Sequence, residues 1–449
     1  MFMLVLCMPA MAQPNLGREI FKQLIEINTT DSVGDNTQAA QAMAARFKAA
    51  GFPDIDISVL APVAKKGNLI VRWRGTGNAR PILFLGHLDV VEALRSDWSF
   101  APFEFREQDG YFYGRGTQDM KADDATLVTA FLRLKKEGFR PARDLILALT
   151  SDEEGGNSNG VIWLLKEHRA LIDAEYCINL DAGGGALRKD QRLYMSVQAA
   201  EKTSVHFKLE VTNPGGHSSL PTAENAIYRL SGGLQRLSHF QFPVSLNDVT
   251  RSYLERMSAL EQGQTSEDLK SILSNPNDDA AAARLSASPF FNAQLRTTCV
   301  ATQLAAGHAQ NALPQTATAN VNCRILPTDS IAGVEAKLKA ALADPLIKVS
   351  PAGGAGVSPI SVPEGQLLTV LKRLTERLWP ATPVVTVMET GASDGKFLRL
   401  GGIPTYGVSG IFNDLDDIRA HGRDERVLAK SFYEGMEFQY QLVSELGRQ

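Results

Sequence analysis

The sequence predicts an α/β protein: a mostly parallel sheet flanked by helices, interrupted by an inserted ferredoxin-like α+β domain. Three observations carry this. Continuous apolar runs stop abruptly in polar loops, helical patterns lie between those runs, and near residue 202 the pattern changes to alternation. The first run (ILFL, 82–85) ends in Gly86-His87-Leu88-Asp89, and the second (LILAL, 145–149) leads to Ser151-Asp152-Glu153-Glu154-Gly155. The third (YCINL, 176–180) ends in Asp181-Ala182 and three glycines. Uninterrupted apolar runs of this length fit strands buried on both faces. Between them, Leu127, Val128, Phe131 and Leu132 share one helical face, and a second helical pattern covers 161–171. Strands alternating with helices build a parallel sheet. Functional groups in such a sheet gather beyond the carboxyl ends of the strands.

The inserted domain is read from a different rhythm. Residues 203–212 alternate like a half-exposed strand, Pro214-Gly215-Gly216-His217 makes a turn, and Ile227, Leu230, Leu234 and Leu237 form one helical stripe. Strands at 300–304 and 316–325, a helix at 331–342 and a strand at 347–350 complete the order β-α-β-β-α-β of a ferredoxin-like sandwich. A polar, helix-prone insertion interrupts it at about 245–295, and α/β character returns at about 356. The expected division is therefore catalytic residues 13–201, the inserted domain at 202–355, and a second catalytic part at 356–449. Residues 1–12 (MFMLVLCMPAMA) combine a short apolar core with Ala10-Met11-Ala12, the shape of a secretory signal cleaved after Ala12, although no basic residue opens it. A periplasmic or secreted protein is expected, with a cytoplasmic one as the alternative.

Composition narrows the function. Lys and Arg number 46 against 50 Asp and Glu, and the basic runs are doublets, so the concentrated basic face that nucleic acid requires is missing. No apolar stretch approaches the ~20 residues of a membrane span, so neither nucleic acid nor membrane is an expected partner. Four cysteines (Cys7, Cys177, Cys299, Cys323) are too scattered for a disulfide framework or a thiolate zinc site. Cys177 and Cys323, inside apolar runs, read as buried free thiols.

The chemistry lies in a constellation. His87, Asp119 (within GRGTQDMK), Glu154, Asp181 and His421 fall at strand ends or in glycine-rich loops. Any one of them alone would read as a solvated loop residue. Together, two histidines and three carboxylates suit a pair of Zn²⁺ ions. One carboxylate would bridge metals about 3.5–4 Å apart, and three carboxylates with one hydroxide balance two dications, which makes burial tolerable. Asp89, two residues from His87 in an extended segment, points the same way and suits a carboxylate fixing the ligand imidazole. Glu153 and Glu154 diverge, so one can bind metal while the other serves as general base. His168, His206, His239 and His308 match no motif and read as surface or structural residues. No P-loop and no His-Glu-x-x-His is present.

The stretches GHLDVV, GRGTQDMK, SDEEGG, NLDAGG, GGHSSLP and AHGRDE, in that order over about 82–427, resemble the dinuclear zinc exopeptidases and deacylases. That family includes glutamate carboxypeptidase, aminoacylase, acetylornithine deacetylase and succinyl-diaminopimelate desuccinylase. The resemblance implies that Asp119 bridges the metals, with His87 and Asp181 on one and Glu154 and His421 on the other. Asp89 then orients and Glu153 is the general base. It further implies a lid and dimerisation domain whose His217 reaches the partner's active site, and Asn311 and Arg324 as holders of a substrate carboxylate. Ala122 and Arg423 depart from the family pattern (Gly and Pro are common there) without removing a ligand. The insertion and the NLDAGG form are most similar to the carboxypeptidase-like branch.

The expected activity is thus hydrolysis of a C–N amide bond beside a free carboxylate, by a zinc-dependent carboxypeptidase or dipeptidase working as a homodimer on small peptides. Co²⁺ or Mn²⁺ could replace zinc. An N-acyl amino acid deacylase is the alternative, and a dinuclear phosphoesterase or an inactive binding homologue stands further off. A phosphoesterase is disfavoured because a single matched arginine, Arg324, gives no basic cluster.

Overall fold

The structure is a computed structural model that describes residues 13–353, 356–363 and 365–449; the expected signal sequence lies outside these. The chain forms two compact units. One comprises residues up to Ala199 with Ser361–Thr386 and Ser393–Gln449, the other Ala200–Ile360 with Val387–Ala392.

The first unit is built on the large mixed sheet. Ile82–His87 lies between Leu145–Thr150 on one side and Tyr176–Asn179 on the other, and both pairings are parallel. Every residue of the first two strands is buried, as their unbroken apolar character requires. Thr405–Gly407 continues the parallel set beside Tyr176–Asn179. Antiparallel pairs flank this set, Ile57–Leu60 with Asn68–Trp73 on one side and Gly184–Arg188 with Gln191–Glu201 on the other, where Phe412–Asp414 adds a parallel end strand.

From Ile82–His87 the chain crosses through the helix Lys121–Lys136 to one neighbour, then returns past it to the other. His87 stands at the carboxyl end of the central strand, at the point of that reversal, where open α/β sheets gather their functional groups. The crossing helix is buried almost all round, packed against helices Gln13–Glu26 and Ala429–Gly447. Its Phe131 meets Phe84, Phe47 and Trp73 edge-on or tilted. Each such fully buried side chain contributes roughly 1.5–3 kcal/mol, so the strands that carry the site are firmly backed. The helical pattern at 161–171 is broken at His168, giving Gly160–Glu167 and Arg169–Ile172.

The second unit follows the order β-α-β-β-α-β. Its four-stranded antiparallel sheet runs Thr298–Ala306, Thr316–Ile325, Thr203–Thr212, Lys348–Ala352. Alternation decides its faces: Val205, Phe207, Leu209 and Val211 are buried against Leu230, Leu237, Val334 and Leu338. The covering helices Ala226–His239 and Ile331–Leu342 start at Asn225 and Ser330, whose side chains accept main-chain N–H bonds from the first turn. Ile227, expected on the buried stripe, is 39% exposed. The insertion forms four helices between Asp248 and Leu295.

One expectation is overturned here. Cys323 is not a free thiol; it is bonded to Cys299. The two residues are direct cross-strand partners in the antiparallel register of Thr298–Ala306 and Thr316–Ile325. Sequence spacing cannot reveal a pairing that only the register creates. Cys177 remains a buried free thiol.

Candidate metal centre

The three parallel strands deliver their first polar residues to one edge of the sheet. His87 is the last residue of its strand, Glu153 and Glu154 follow Thr150, and Asp181 follows Asn179. Asp119 and His421 arrive on loops.

The imidazole of His87 is buried. Its Nδ1 lies 3.0 Å from the main-chain oxygen of Asp89. A carbonyl only accepts, so Nδ1 carries a proton, and Nε2 is turned toward the carboxylates. Although burial opposes protonation, Asp181 and Asp119 hold the ring's pKa well above the ordinary imidazole value, so Nε2 gives up its proton when it binds an ion. Nε2 stands 3.1 Å from Asp119 Oδ1 and 3.4 Å from Asp181 Oδ1. On the other side, His421 Nε2 lies 3.0 Å from Asp119 Oδ2 and 2.9 Å from Glu154 Oε1. The two oxygens of Asp119 thus address two different histidines. His87, Asp119 and Glu154 form one group whose donor atoms lie within 4.8 Å of one another, and His87, Glu153 and Asp181 form another. Imidazole nitrogen and carboxylate oxygen in these numbers fit two divalent transition ions.

Asp89 behaves differently from the expectation drawn for it. Its carboxylate is 3.7 Å from His87 Nδ1, and it accepts instead from the main-chain N–H groups of Glu153 (3.1 Å) and Glu154 (2.9 Å). The imidazole is oriented by the Asp89 main chain, and the acidic loop by its side chain.

Glu425 is a further part of the site that no motif argument singled out. It is fully buried and accepts from Arg115 Nη1 (2.6 Å) and from the main-chain N–H of Gly116 (3.0 Å), Gln118 (2.6 Å) and Asp119 (3.1 Å). One carboxylate therefore ties the loop bearing Asp119 to the segment bearing His421, which itself sits at φ 62°. Its place inside AHGRDE, four residues after His421, was the available signal.

The electrostatics follow from crowding. Hydrogen bonds to Asp119 and Glu154 raise the His421 pKa to about 10. Burial raises Asp181 to about 7. Although burial pushes the other way, the two histidines hold Asp119 below the ordinary carboxylate range. Protons occupy positions that metal ions would take, so metal binding releases them and strengthens as pH rises.

Asp123, on the helix behind the site, has its pKa raised to about 8, chiefly by burial, against the hydrogen bond from Ser409 Oγ. A folded-state pKa above the unfolded 3.8 means the native state holds the extra proton. Its penalty for Asp123 therefore grows as pH rises from about 4 to 8. Asp123→Asn is expected to melt higher than the parent at pH 9 in chelator, with the gap closing by pH 5. Equal melting curves at both pH values would contradict this.

The remaining predicted residues belong to the second unit. His217 pairs with Ala312 in a two-stranded ribbon, and Ser218 N–H donates to the Asn311 carbonyl at 3.0 Å, so His217 and Asn311 are neighbours. His217 is exposed and its Nδ1 lies 2.7 Å from Ser219 Oγ. Arg324 stands on the open face of the sheet, opposite Ser204 and Thr298.

A sheet presenting carboxylates and imidazoles in this way defines a metal-dependent hydrolase. The chain belongs to Peptidase family M20/M25/M40, whose profile matches residues 83–445. It is 27% identical over 403 residues to "Probable carboxypeptidase S-like 2" of Dictyostelium discoideum, covering 87% of this chain and 77% of that protein. It is 28% identical over 376 residues to the N-fatty-acyl-amino acid synthase/hydrolase PM20D1 of Xenopus tropicalis, with 82% and 72% covered. Among solved structures, the M20 family metallo-carboxypeptidase Sso-CP2 from Sulfolobus solfataricus superposes with a TM-score of 0.71 at 16% identity, covering 96% of this chain and 99% of that one.

Proposed function

We propose that the protein is a carboxypeptidase or dipeptidase that hydrolyses the amide bond next to a free carboxylate, with two Zn²⁺ as its native ions. The observation that carries this is the division of Asp119, one oxygen toward His87 and the other toward His421. His87 and Asp181 would hold one ion, Glu154 and His421 the other, with Asp119 between. Such ions polarise a scissile carbonyl and lower the pKa of a water to about 7.

Glu153 removes the proton from the attacking water and returns it to the leaving nitrogen. Asp89 holds Glu153 and Glu154 in place through their main-chain N–H groups. His217 steadies the oxyanion, and Asn311 and Arg324 bind the substrate carboxylate. His217 would act on the partner's site in a homodimer. The end strand Thr298–Ala306, with Val300 and Leu304 each 61% exposed, supports pairing with a second copy. The Cys299–Cys323 bond supports export to an oxidising compartment. Among the described residues, no helix is long and apolar enough to cross a membrane.

A second reading is favoured by the N-fatty-acyl-amino acid synthase/hydrolases among the relatives: an N-acyl amino acid deacylase using the same residues. The test is a panel of dipeptides, N-acetyl amino acids and long-chain N-acyl amino acids, scored for released amine. Chelator should abolish turnover and Zn²⁺, Co²⁺ or Mn²⁺ restore it, with light scattering on the same sample reporting a dimer. Turnover that survives complete metal removal would end the proposal.

A further inference from the structure

The acidic loop that follows Thr150 is held by a charge that lies outside every motif. Asp152, beside Glu153, has φ 59°, a left-handed conformation that a residue with a side chain seldom keeps unless its surroundings impose it. Its carboxylate is 1% exposed. Oδ1 receives Lys66 Nζ at 2.5 Å, and Oδ2 receives the main-chain N–H of Ser158 at 3.1 Å. The loop doubles back over this group so closely that a Cβ on Gly156 would lie 2.4 Å from Oδ2. Lys66, itself only 14% exposed, also reaches Asp31 Oδ1 at 2.5 Å. At the far end, Asn159 Nδ2 donates to the Asp152 carbonyl at 3.0 Å and to Asp394 Oδ1 at 2.6 Å.

We propose that Lys66 is a positioning residue for the hydrolysis, acting through Asp152 to fix the backbone from which Glu153 projects. The inference rests on Glu153 as the proton acceptor. Gly155, Gly156 and Asn157 are exposed, so the loop has little packing of its own to set its path. The Lys66–Asp152 pair supplies that constraint at the residue before the base. Without the ammonium, the Asp152 carboxylate is a nearly buried charge with no counter-ion. It must take up a proton or swing outward, and either change frees the left-handed turn. A displacement of the base by about 1 Å is enough to cost on the order of 10²-fold in rate.

The decisive comparison is Lys66→Met, Lys66→Arg and the double variant Lys66→Met/Asp152→Asn, each with its metal content measured. Lys66→Met is expected to lower kcat about 10- to 100-fold, with KM within about twofold and both ions retained, while Lys66→Arg recovers most of the rate. The double variant removes the stranded charge, so its melting temperature returns toward the parent's while its kcat stays low. Arg74→Met, which breaks the Arg74–Asp56 pair elsewhere in the same unit, controls for loss of an ion pair and keeps the parent's kcat. Parent-like kcat in Lys66→Met, or kcat recovering together with stability in the double variant, would overturn the proposal. If instead Glu153→Gln turns over normally, the assignment of the base is what has failed, and the two failures are told apart.

Discussion

Replacing Glu153 by glutamine is expected to lower turnover about 10²- to 10⁴-fold while both metal ions stay bound. Glutamine keeps the size of the side chain and removes its ability to accept a proton. The main-chain N–H that Asp89 holds is untouched, so the loop keeps its path. Glu154, whose Oε1 meets His421 Nε2, remains to complete its own site. Glu153 nonetheless shares with His87 and Asp181 a group whose donor atoms lie within 4.8 Å of one another, which makes metal content the informative measurement. A variant that turns over at the parent's rate is incompatible with Glu153 as the base. One that loses an ion along with activity makes Glu153 a ligand instead. Normal occupancy with turnover near background is the outcome that separates the two adjacent glutamates into base and ligand.

Asp119→Ala is expected to have the largest effect on metal content: neither site fills at ion concentrations that saturate the parent, and activity disappears. The reason is geometric. Each oxygen of Asp119 faces a different histidine, so one truncation removes a donor from both positions and leaves His87 and His421 without their shared partner. Elemental analysis after dialysis against buffered Zn²⁺ reads this directly. Retention of two ions per chain would show that Asp119 does not bridge. A far-ultraviolet spectrum matching the parent's would exclude unfolding, and alanine keeps the main-chain N–H of residue 119 that Glu425 accepts.

These two effects differ in origin, and so does their legibility. Three of the proposed ligands are readable because each follows a place where an apolar run stops: His87 ends one strand, and Glu154 and Asp181 lie just beyond two others. Burial on both faces forces an apolar strand, and a parallel sheet places such strand ends side by side. Asp119 and His421 lack that warrant: they stand in glycine-rich loops and join the constellation by residue type, while their separate roles follow from resemblance.

The supports were harder to read. Glu425 acts on main-chain groups some 300 residues earlier, and no side-chain pattern reports an N–H donor. Asp89 stands out by its spacing from His87, yet its carboxylate accepts from Glu153 and Glu154 because the strand Leu145–Thr150, which precedes them, runs alongside Ile82–His87, which precedes it. Lys66 sits in a loop with nothing in its neighbourhood to mark it.

By itself the sequence determined where strands are buried on both faces, where they are buried on one, and which polar residues stand at their ends. Side-chain periodicity is a local property, and it survives being read one residue at a time. Only the tertiary structure decided that Asp119 splits between two histidines, that Cys299 meets Cys323, and that Lys66 holds the turn before Glu153. Each of those contacts depends on the register or crossing of segments distant in the chain, which packing fixes and local pattern does not encode.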